Sequence, residues 1–142
     1  MPHNIINPQA VQTHLQIIQS VIQRMASNSA SCKAWCIALV SAILVIVATT
    51  GKPQYTLIAI IPTVLFLILD TYYLALEKMF RQSYNSFIEK LHTGEITPAD
   101  LYIVTPSGNM LRSFAVSFIS FSIWPFYLTL LVMTFVAKSI VF

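Results

Sequence analysis

The sequence predicts an all-α integral membrane protein, and three observations favour this fold class. Only 9% of the 142 residues are charged, against about a quarter in a typical soluble domain. Three uncharged runs, residues 34–51, 53–69 and 113–137, contain 18, 17 and 25 residues. At about 1.5 Å per residue, each run reaches or approaches the roughly 30 Å thickness of a bilayer's hydrocarbon core. Outside these runs, apolar side chains recur at helical spacing, so we expect helices throughout.

The first segment, residues 1–31, is predicted to be a cytoplasmic amphipathic helix. Asn7 can cap this helix and Pro8 can occupy its first position. Its apolar residues step by 4, 3, 4 and 3 positions, which is the spacing of a coiled-coil seam. This first seam consists of Val11, Leu15, Ile18, Ile22 and Met25. Two interpretations stay open: the seam packs against its own chain, or it drives self-association or docking onto a partner helix.

The second segment, residues 32–77, is predicted to be a transmembrane hairpin with spans at about 34–51 and 54–77. Gly51 begins the turn between the spans, and Pro62 predicts a kink near the middle of the second span. Lys33, beside Trp35, is expected at the cytoplasmic membrane interface. The two cysteines, at positions 32 and 36, have the spacing of neither a redox pair nor a zinc site, so we interpret both as small apolar fillers.

Asp70 is the first candidate for a functional residue, because a carboxylate inside a spanning helix costs about 2.5 to 3.5 kcal/mol at mid-depth. Glu77 and Arg81 follow at steps of 7 and 4 residues, which predicts one polar face and an i,i+4 ion pair between these two. Two interpretations of Asp70 stay open. In one, the carboxylate is hydrogen-bonded to a Tyr or Ser of a neighbouring span, or extends to the interface. In the other, it lines a water-filled path or a contact between subunits.

The third segment, residues 78–112, is predicted to continue the second span as a cytoplasmic juxtamembrane helix that ends near Gly94. This second seam consists of Phe80, Tyr84, Phe87 and Leu91, and its packing on the first seam, within or between subunits, would bury both. A short helix capped by Thr97, with Pro98 at its first position, is expected next. Residues 113–137 form the predicted third span, with a kink at Pro125, and residues 138–142 form a short tail.

The distribution of Lys and Arg predicts the orientation, because these residues favour the cytoplasmic side of a membrane. The basic residues before the first span and between the second and third spans place the N-terminus in the cytoplasm; they are Arg24, Lys33, Lys78, Arg81, Lys90 and Arg112.

We expect no enzyme, because the cytoplasmic segment is short and no nucleophile or phosphate-loop motif is present. His3, His14 and His92 have no metal-ligand spacing, so neither a metal nor a cofactor is expected. No basic patch with interleaved aromatics predicts nucleic-acid binding.

From Val11 to Leu91 the chain resembles small bacterial inner-membrane proteins. It is similar to the two-span effectors of the SLATT type that accompany nucleotide-signalling phage-defence systems. The residues that carry this resemblance are Asn28, Lys33, Trp35, Asp70, Tyr73, Glu77, Phe80, Arg81 and Tyr84. The resemblance implies oligomerisation and membrane permeabilisation that arrests or kills the infected cell. A third span in place of a soluble tail departs from the two-span pattern.

The sequence hypothesis is therefore a homo-oligomeric pore-forming or membrane-disrupting effector of the bacterial inner membrane. The nine residues of the two seams are the candidate oligomerisation residues, and Asp70, Glu77 and Arg81 are the candidate pore or gating residues. Expected partners are membrane lipid, further copies of the chain and a soluble defence-system protein. The alternative is a non-conducting membrane anchor or assembly subunit that recruits a soluble partner.

Overall fold

The computed structural model of the chain describes residues 6–141, and this part is all-helical with no strand. The described residues begin within the predicted first segment, so its residues 1–5, including His3, lie outside them, as does Phe142 of the predicted tail. Four α-helices follow in order: α1 (Pro8–Thr50), α2 (Ile60–Thr93), α3 (Met110–Phe118) and α4 (Trp124–Val141). Two 3₁₀ helices, Pro53–Ala59 and Pro98–Asp100, stand between them. The predicted all-α class is confirmed.

Helix α1 is one continuous helix of 43 residues, about 64 Å long at 1.5 Å per residue. It joins the predicted amphipathic helix to the predicted first span without a break. Its N-terminus has the predicted cap, since the Asn7 side chain accepts a hydrogen bond from the Gln9 N–H at 2.9 Å and Pro8 occupies the first turn. Gly51 caps its C-terminus: a φ of 65° gives this residue the left-handed conformation that ends helices, and the turn starts there.

Helix α2 returns antiparallel to α1, so the two form a long hairpin. Hydrogen bonds link α1 to α2 between Ser29 and Asp70 and, farther from the turn, between Gln19 and Tyr84. We call the end of the hairpin that holds Pro8 and Thr93 its open end. Pro62 was predicted to kink the middle of the second span, but it lies in the first turn of α2, where its missing N–H removes no helical hydrogen bond. The residues before it, 53–59, form a separate 3₁₀ helix.

The third predicted span, residues 113–137, is wrong as a single helix. Helix α3 ends at Phe118, and α4 begins at Trp124. The physical reason is Pro125, which has no N–H for the carbonyl of Phe121 and whose ring crowds that carbonyl. Proline is tolerated in a first turn, and a new helix therefore starts just before it, after the Ser120 carbonyl has accepted hydrogen bonds from the N–H groups at positions 123 and 124.

Within the described residues, two helical stretches are long and apolar enough to cross a membrane, Pro8–Thr50 and Pro53–Thr93, whereas Trp124–Ile140 is a shorter apolar helix. Only 22% of the most apolar window of each long stretch is buried inside the chain. A core helix of a soluble protein would be covered by its neighbours, so this large apolar exterior is what a lipid environment would cover. The core inside the bundle is small and consists of Cys36, Val40, Ala59, Ile123 and Tyr127.

Residues 94–109, which we call the connector, cross the open end of the hairpin between α2 and α3. Gly94 ends α2, as predicted, with a φ of 73°. The expected short helix is a single 3₁₀ turn, in which the Asp100 carboxylate accepts hydrogen bonds from both the N–H and the hydroxyl of Thr97. Farther along, the Ser83 hydroxyl of α2 donates to the Thr105 carbonyl at 2.6 Å, which holds the connector against the hairpin.

Candidate functional site

Asp70 is fully buried, with 0% of its surface exposed, on the face of α2 that packs against α1. Its position follows from the helical repeat, because Thr63 and Asp70 are seven residues apart and so share the inner face of α2. The flanking positions 68 and 69 are large aliphatic residues that point outward. Asp70 is therefore a buried carboxylate in the apolar part of a helical stretch that is long enough to span a membrane.

Three side chains from two other helices surround this carboxylate. The Lys33 ammonium of α1 lies 2.5 Å from Oδ2, and the Ser29 hydroxyl, one turn earlier in α1, donates to Oδ1. The Tyr127 hydroxyl of α4 lies 3.1 Å from Oδ2 and 3.1 Å from the carbonyl of Phe66. We call Ser29, Lys33, Asp70 and Tyr127 the Asp70 cluster. It ties all three long helices together at one level of the bundle.

The structure has the first of the two arrangements considered for Asp70, a carboxylate hydrogen-bonded to Ser and Tyr of neighbouring helices. Extension to the interface does not occur, since no atom of Asp70 reaches the surface. Lys33 was expected at the membrane interface, but its side chain is only 21% exposed and its ammonium pairs with the buried Asp70 carboxylate. The cluster is electrically neutral, because one ammonium faces one carboxylate. Removing either partner would leave a buried charge unpaired, which costs about 3 to 5 kcal/mol in proteins.

Small polar side chains line the interior on either side of the cluster. Thr63 and Thr71 are buried, and their hydroxyls donate to the backbone carbonyls four residues earlier, those of Ala59 and Leu67, both at 2.7 Å. Cys32 and Cys36 are buried free thiols, in agreement with their predicted role as small fillers. Within residues 6–141, Ser117 has the one buried side-chain oxygen that lacks a hydrogen-bond partner. The bundle interior is therefore narrow and rich in hydroxyl and thiol groups.

The other two predicted pore residues do not join this cluster. Glu77 and Arg81 form the expected i,i+4 ion pair, at 2.8 Å, two turns farther toward the open end. The Arg81 side chain is 62% exposed and the Glu77 side chain 14%, so the pair lies at the surface of α2 with its carboxylate partly covered. An exposed pair of this kind contributes a few tenths of a kcal/mol. Asp70 and Glu77 are seven residues apart, which separates them by about 10 Å along the helix axis even if they share one face.

The nine predicted oligomerisation residues lie where α1 and α2 meet beyond the cluster. Val11, Ile18 and Phe87 are buried within the chain, whereas Leu91 is 38% exposed. The other five, Leu15, Ile22, Met25, Phe80 and Tyr84, are half-buried. The two seams therefore pack on each other within one chain, which is one of the arrangements the sequence left open. Their half-buried edges remain on the surface of the hairpin.

A second polar cluster, at the open end, was missed by the sequence analysis. His14 is 1% exposed, and its Nδ1 accepts a hydrogen bond from the backbone N–H of Tyr102 at 2.9 Å. The Lys90 ammonium pairs with the Asp100 carboxylate at 2.9 Å. Together with connector residues they border a cleft of about 200 Å³. Burial lowers the pKa of His14, and this effect exceeds the opposing influence of the nearby Asp100 carboxylate.

One signal could have identified Lys33 as the partner of Asp70. In an antiparallel hairpin that turns at Gly51, residues at equal distance from the turn lie side by side, and Lys33 and Asp70 are 18 and 19 residues from it. No comparable signal existed for Tyr127, because its contact depends on where α4 packs. The same holds for His14, whose partner is 88 residues away in sequence.

Among the described residues, no group of three or more His, Cys, Asp and Glu side chains is arranged to hold a metal ion. Comparisons with family models, with curated proteins and with solved structures find no match to this chain.

Proposed function

We propose that the chain is a homo-oligomeric pore-forming or membrane-disrupting effector of the bacterial inner membrane, with its N-terminus in the cytoplasm. One observation carries the proposal: a buried, fully paired carboxylate inside helices whose outer surface is apolar. A purely structural anchor has no need of this cluster, because well-packed apolar residues usually stabilise a core as well as a buried ion pair or better. Ionisable residues in spanning helices more often mark ion pathways, proton relays or voltage sensors.

The polar interior supports the same proposal. Thr63, Asp70 and Thr71 give α2 an inner face on which water and ions could bind if the helices separated during assembly. In the single chain Lys33 and Tyr127 occupy this face, and in the proposal this arrangement corresponds to the shut state. Opening would require these helices to exchange contacts within one chain for contacts between copies. Asp70 is then the residue that would face the conducted ion.

The cytoplasmic orientation is supported by the charge at the two ends of the bundle. The part of the bundle between the Asp70 cluster and the open end, with the start of α3, carries most of the Lys and Arg residues, namely Arg24, Lys78, Arg81, Lys90 and Arg112. The turn end carries Lys52, and Lys138 lies in the last turn of α4. An excess of basic residues near the ends of spanning helices favours the cytoplasmic side. If α4 also spans the bilayer, its C-terminus lies on the opposite face.

The conductance test is expression of this chain alone in bacteria, with membrane potential and dye entry as readouts, followed by ion flux in liposomes. We expect loss of the potential with the native chain. The variant D70N should change the ion preference of the flux, because it removes the carboxylate at the centre of the interior. Glu89→Gln is the matched control, since Glu89 is an exposed carboxylate on the same helix and should leave the flux unchanged. An intact potential in cells that hold the membrane-inserted protein would contradict the pore.

Assembly is tested separately, by the mass of the detergent-extracted protein. Leu91→Asp places a charge on an exposed seam residue and leaves the hairpin core untouched, so it should lower both the oligomer mass and the leak. Ile18→Asp is uninformative, because Ile18 is buried within its own chain and a charge there would disrupt the hairpin itself. A strictly monomeric native protein in every condition that produces a leak would contradict the assembly step.

The alternative function is a non-conducting anchor that recruits a soluble partner. One observation favours it: every charged atom of the Asp70 cluster has a partner inside one chain, as a permanently closed scaffold would require. The potential assay separates the two functions. Cells that keep their potential while a soluble protein co-purifies with the chain would favour the anchor.

A further inference from the structure

The connector is attached to the open end of the hairpin by two polar contacts close together in sequence. The Asp100 carboxylate pairs with Lys90 of α2, and the N–H of Tyr102 donates to His14 of α1. Both contacts are 2.9 Å long. His14, Lys90 and Asp100 border the cleft of about 200 Å³, and connector residues 103–105 form part of its wall. The Ser83–Thr105 hydrogen bond holds the connector to α2 as well, so the bond to His14 is its side-chain tie to α1.

The contact to His14 requires a neutral imidazole. Nδ1 accepts the hydrogen bond, so the ring proton must sit on Nε2, and a second proton could go only to Nδ1. The ring is buried and packs against Phe87, with ring centroids 4.3 Å apart. A protonated ring would place an N–H opposite the Tyr102 N–H and would lose its only acceptor atom. The hydrogen bond therefore cannot survive protonation of His14.

Tyr102 holds an unfavourable backbone conformation at this contact. Its φ is 65°, and it is the one residue other than glycine with a positive φ in the part of the chain described. A bulky side chain rarely adopts this conformation unless surrounding contacts impose it. The Tyr102 side chain is 59% exposed, so side-chain packing does not impose it. The bond to His14 is made by the Tyr102 backbone N–H itself, so its loss would remove a backbone contact that holds this conformation.

Among residues 6–141, the charged groups that face His14 are few and balanced. Residues 8–23 of α1 contain no Asp, Glu, Lys or Arg. Helix α2 contributes Lys90 and the connector contributes Asp100, and these two neutralise each other. The hydrogen bonds from Lys90 and Thr97 hold the pKa of Asp100 far below its usual range, so this second contact stays charged between pH 5 and 8. In that range, only the His14 contact changes its protonation.

We propose that His14 is a pH-sensitive switch. At neutral pH its hydrogen bond to Tyr102 holds the connector against α1 at the open end, and protonation of His14 on acidification releases the connector from α1. Release frees residues 101–104 from α1 and widens the cleft, while the Lys90–Asp100 and Ser83–Thr105 contacts still hold the connector to α2. The sign follows from linkage: the closed state binds His14 only in its neutral form, whereas the open state lets it take up a proton at its usual pKa of about 6.5. Closure is thus complete above this pH and weakens as the pH falls through it.

The test is hydrogen exchange of the connector amides in the full-length protein in nanodiscs at pH 7.5 and 5.5. Each rate is divided by the intrinsic exchange rate at the same pH. With an open-state pKa of about 6.5, the opening equilibrium should rise about tenfold between the two pH values. In H14Q the ratio should stay near one, because glutamine offers an acceptor oxygen to Tyr102 but does not titrate. The matched control is His92→Gln, an exposed histidine in the last turn of α2, which should retain the tenfold ratio.

Two results would overturn the proposal: a native ratio near one, or an H14Q ratio equal to the native one. If H14Q does not fold, ¹⁵N NMR of the native histidines decides the question, because His14 must then titrate with the same midpoint as the loss of protection. A midpoint that differs would equally overturn it. The proposal is independent of conduction, so a negative leak assay leaves this test unaffected.

Discussion

Replacement of Lys33 by Met probes the Asp70 cluster most directly. Methionine keeps most of the length of the lysine stem but removes the ammonium that lies 2.5 Å from Asp70 Oδ2. The carboxylate keeps its hydrogen bonds from Ser29 and Tyr127 but loses its only counter-ion in the cluster. Breaking a buried pair costs about 3 to 5 kcal/mol, and we expect the lower end because Lys33 is 21% exposed. A loss of about 3 kcal/mol is a roughly hundredfold change in the folding equilibrium.

The assay is reversible unfolding in mixed micelles, followed by circular dichroism, for the native chain, K33M, D70N and the double variant. The double variant should be more stable than K33M, because it holds no unpaired charge. Lys52→Met is the matched control at an exposed lysine near the turn and should change stability by less than about 0.5 kcal/mol. The reasoning is refuted if K33M is as stable as this control, or if K33M and D70N destabilise the chain additively.

Three further predictions concern single contacts, each measured by the same unfolding assay unless stated. Tyr127→Phe removes the α4 hydroxyl from Asp70 and should cost about 1 to 3 kcal/mol; an unchanged stability would show that α4 does not hold the carboxylate. Tyr102→Gly relieves the positive φ and should raise the exchange protection of the connector at pH 7.5, whereas lower protection would contradict the strain argument. Gly108→Ala should destabilise the connector, since φ is 104° and the new Cβ would lie 2.9 Å from Gln82 Oε1; a neutral result would mean that this side chain moves away freely.

The local features of the helices could be predicted because they depend on neighbouring residues. The cap at Asn7, the end of α2 at Gly94 and the Glu77–Arg81 pair are all contacts between residues at most four positions apart. Such contacts follow from helix geometry alone. The break before Pro125 was anticipated only as a kink, because a kink and a break share the same missing hydrogen bond. How residues 113–137 pack against the hairpin decides between them.

The partners of the buried polar groups could not be predicted in the same way. Asp70 was recognised as unusual from its surroundings in the sequence, but hydroxyl pairing and a water-filled path are equally compatible with one carboxylate in an apolar run. The sequence excludes His14 as a metal ligand, because three scattered histidines form no ligand pattern, and it gives His14 no other role. Its acceptor role depends on a connector backbone 88 residues away, whose course is not encoded in any local spacing.

The sequence by itself determined the helical class, the long apolar stretches and the helix caps, because periodicity, charge and the chemistry of Pro and Gly act over one or two turns. Only the tertiary structure decided that Lys33 and Tyr127 complete the environment of Asp70, that the two seams meet within one chain, and that His14 holds the connector. These are contacts between distant segments. They depend on the register of the α1–α2 hairpin and on how α4 and the connector pack against it, and register is a property of the assembled helices.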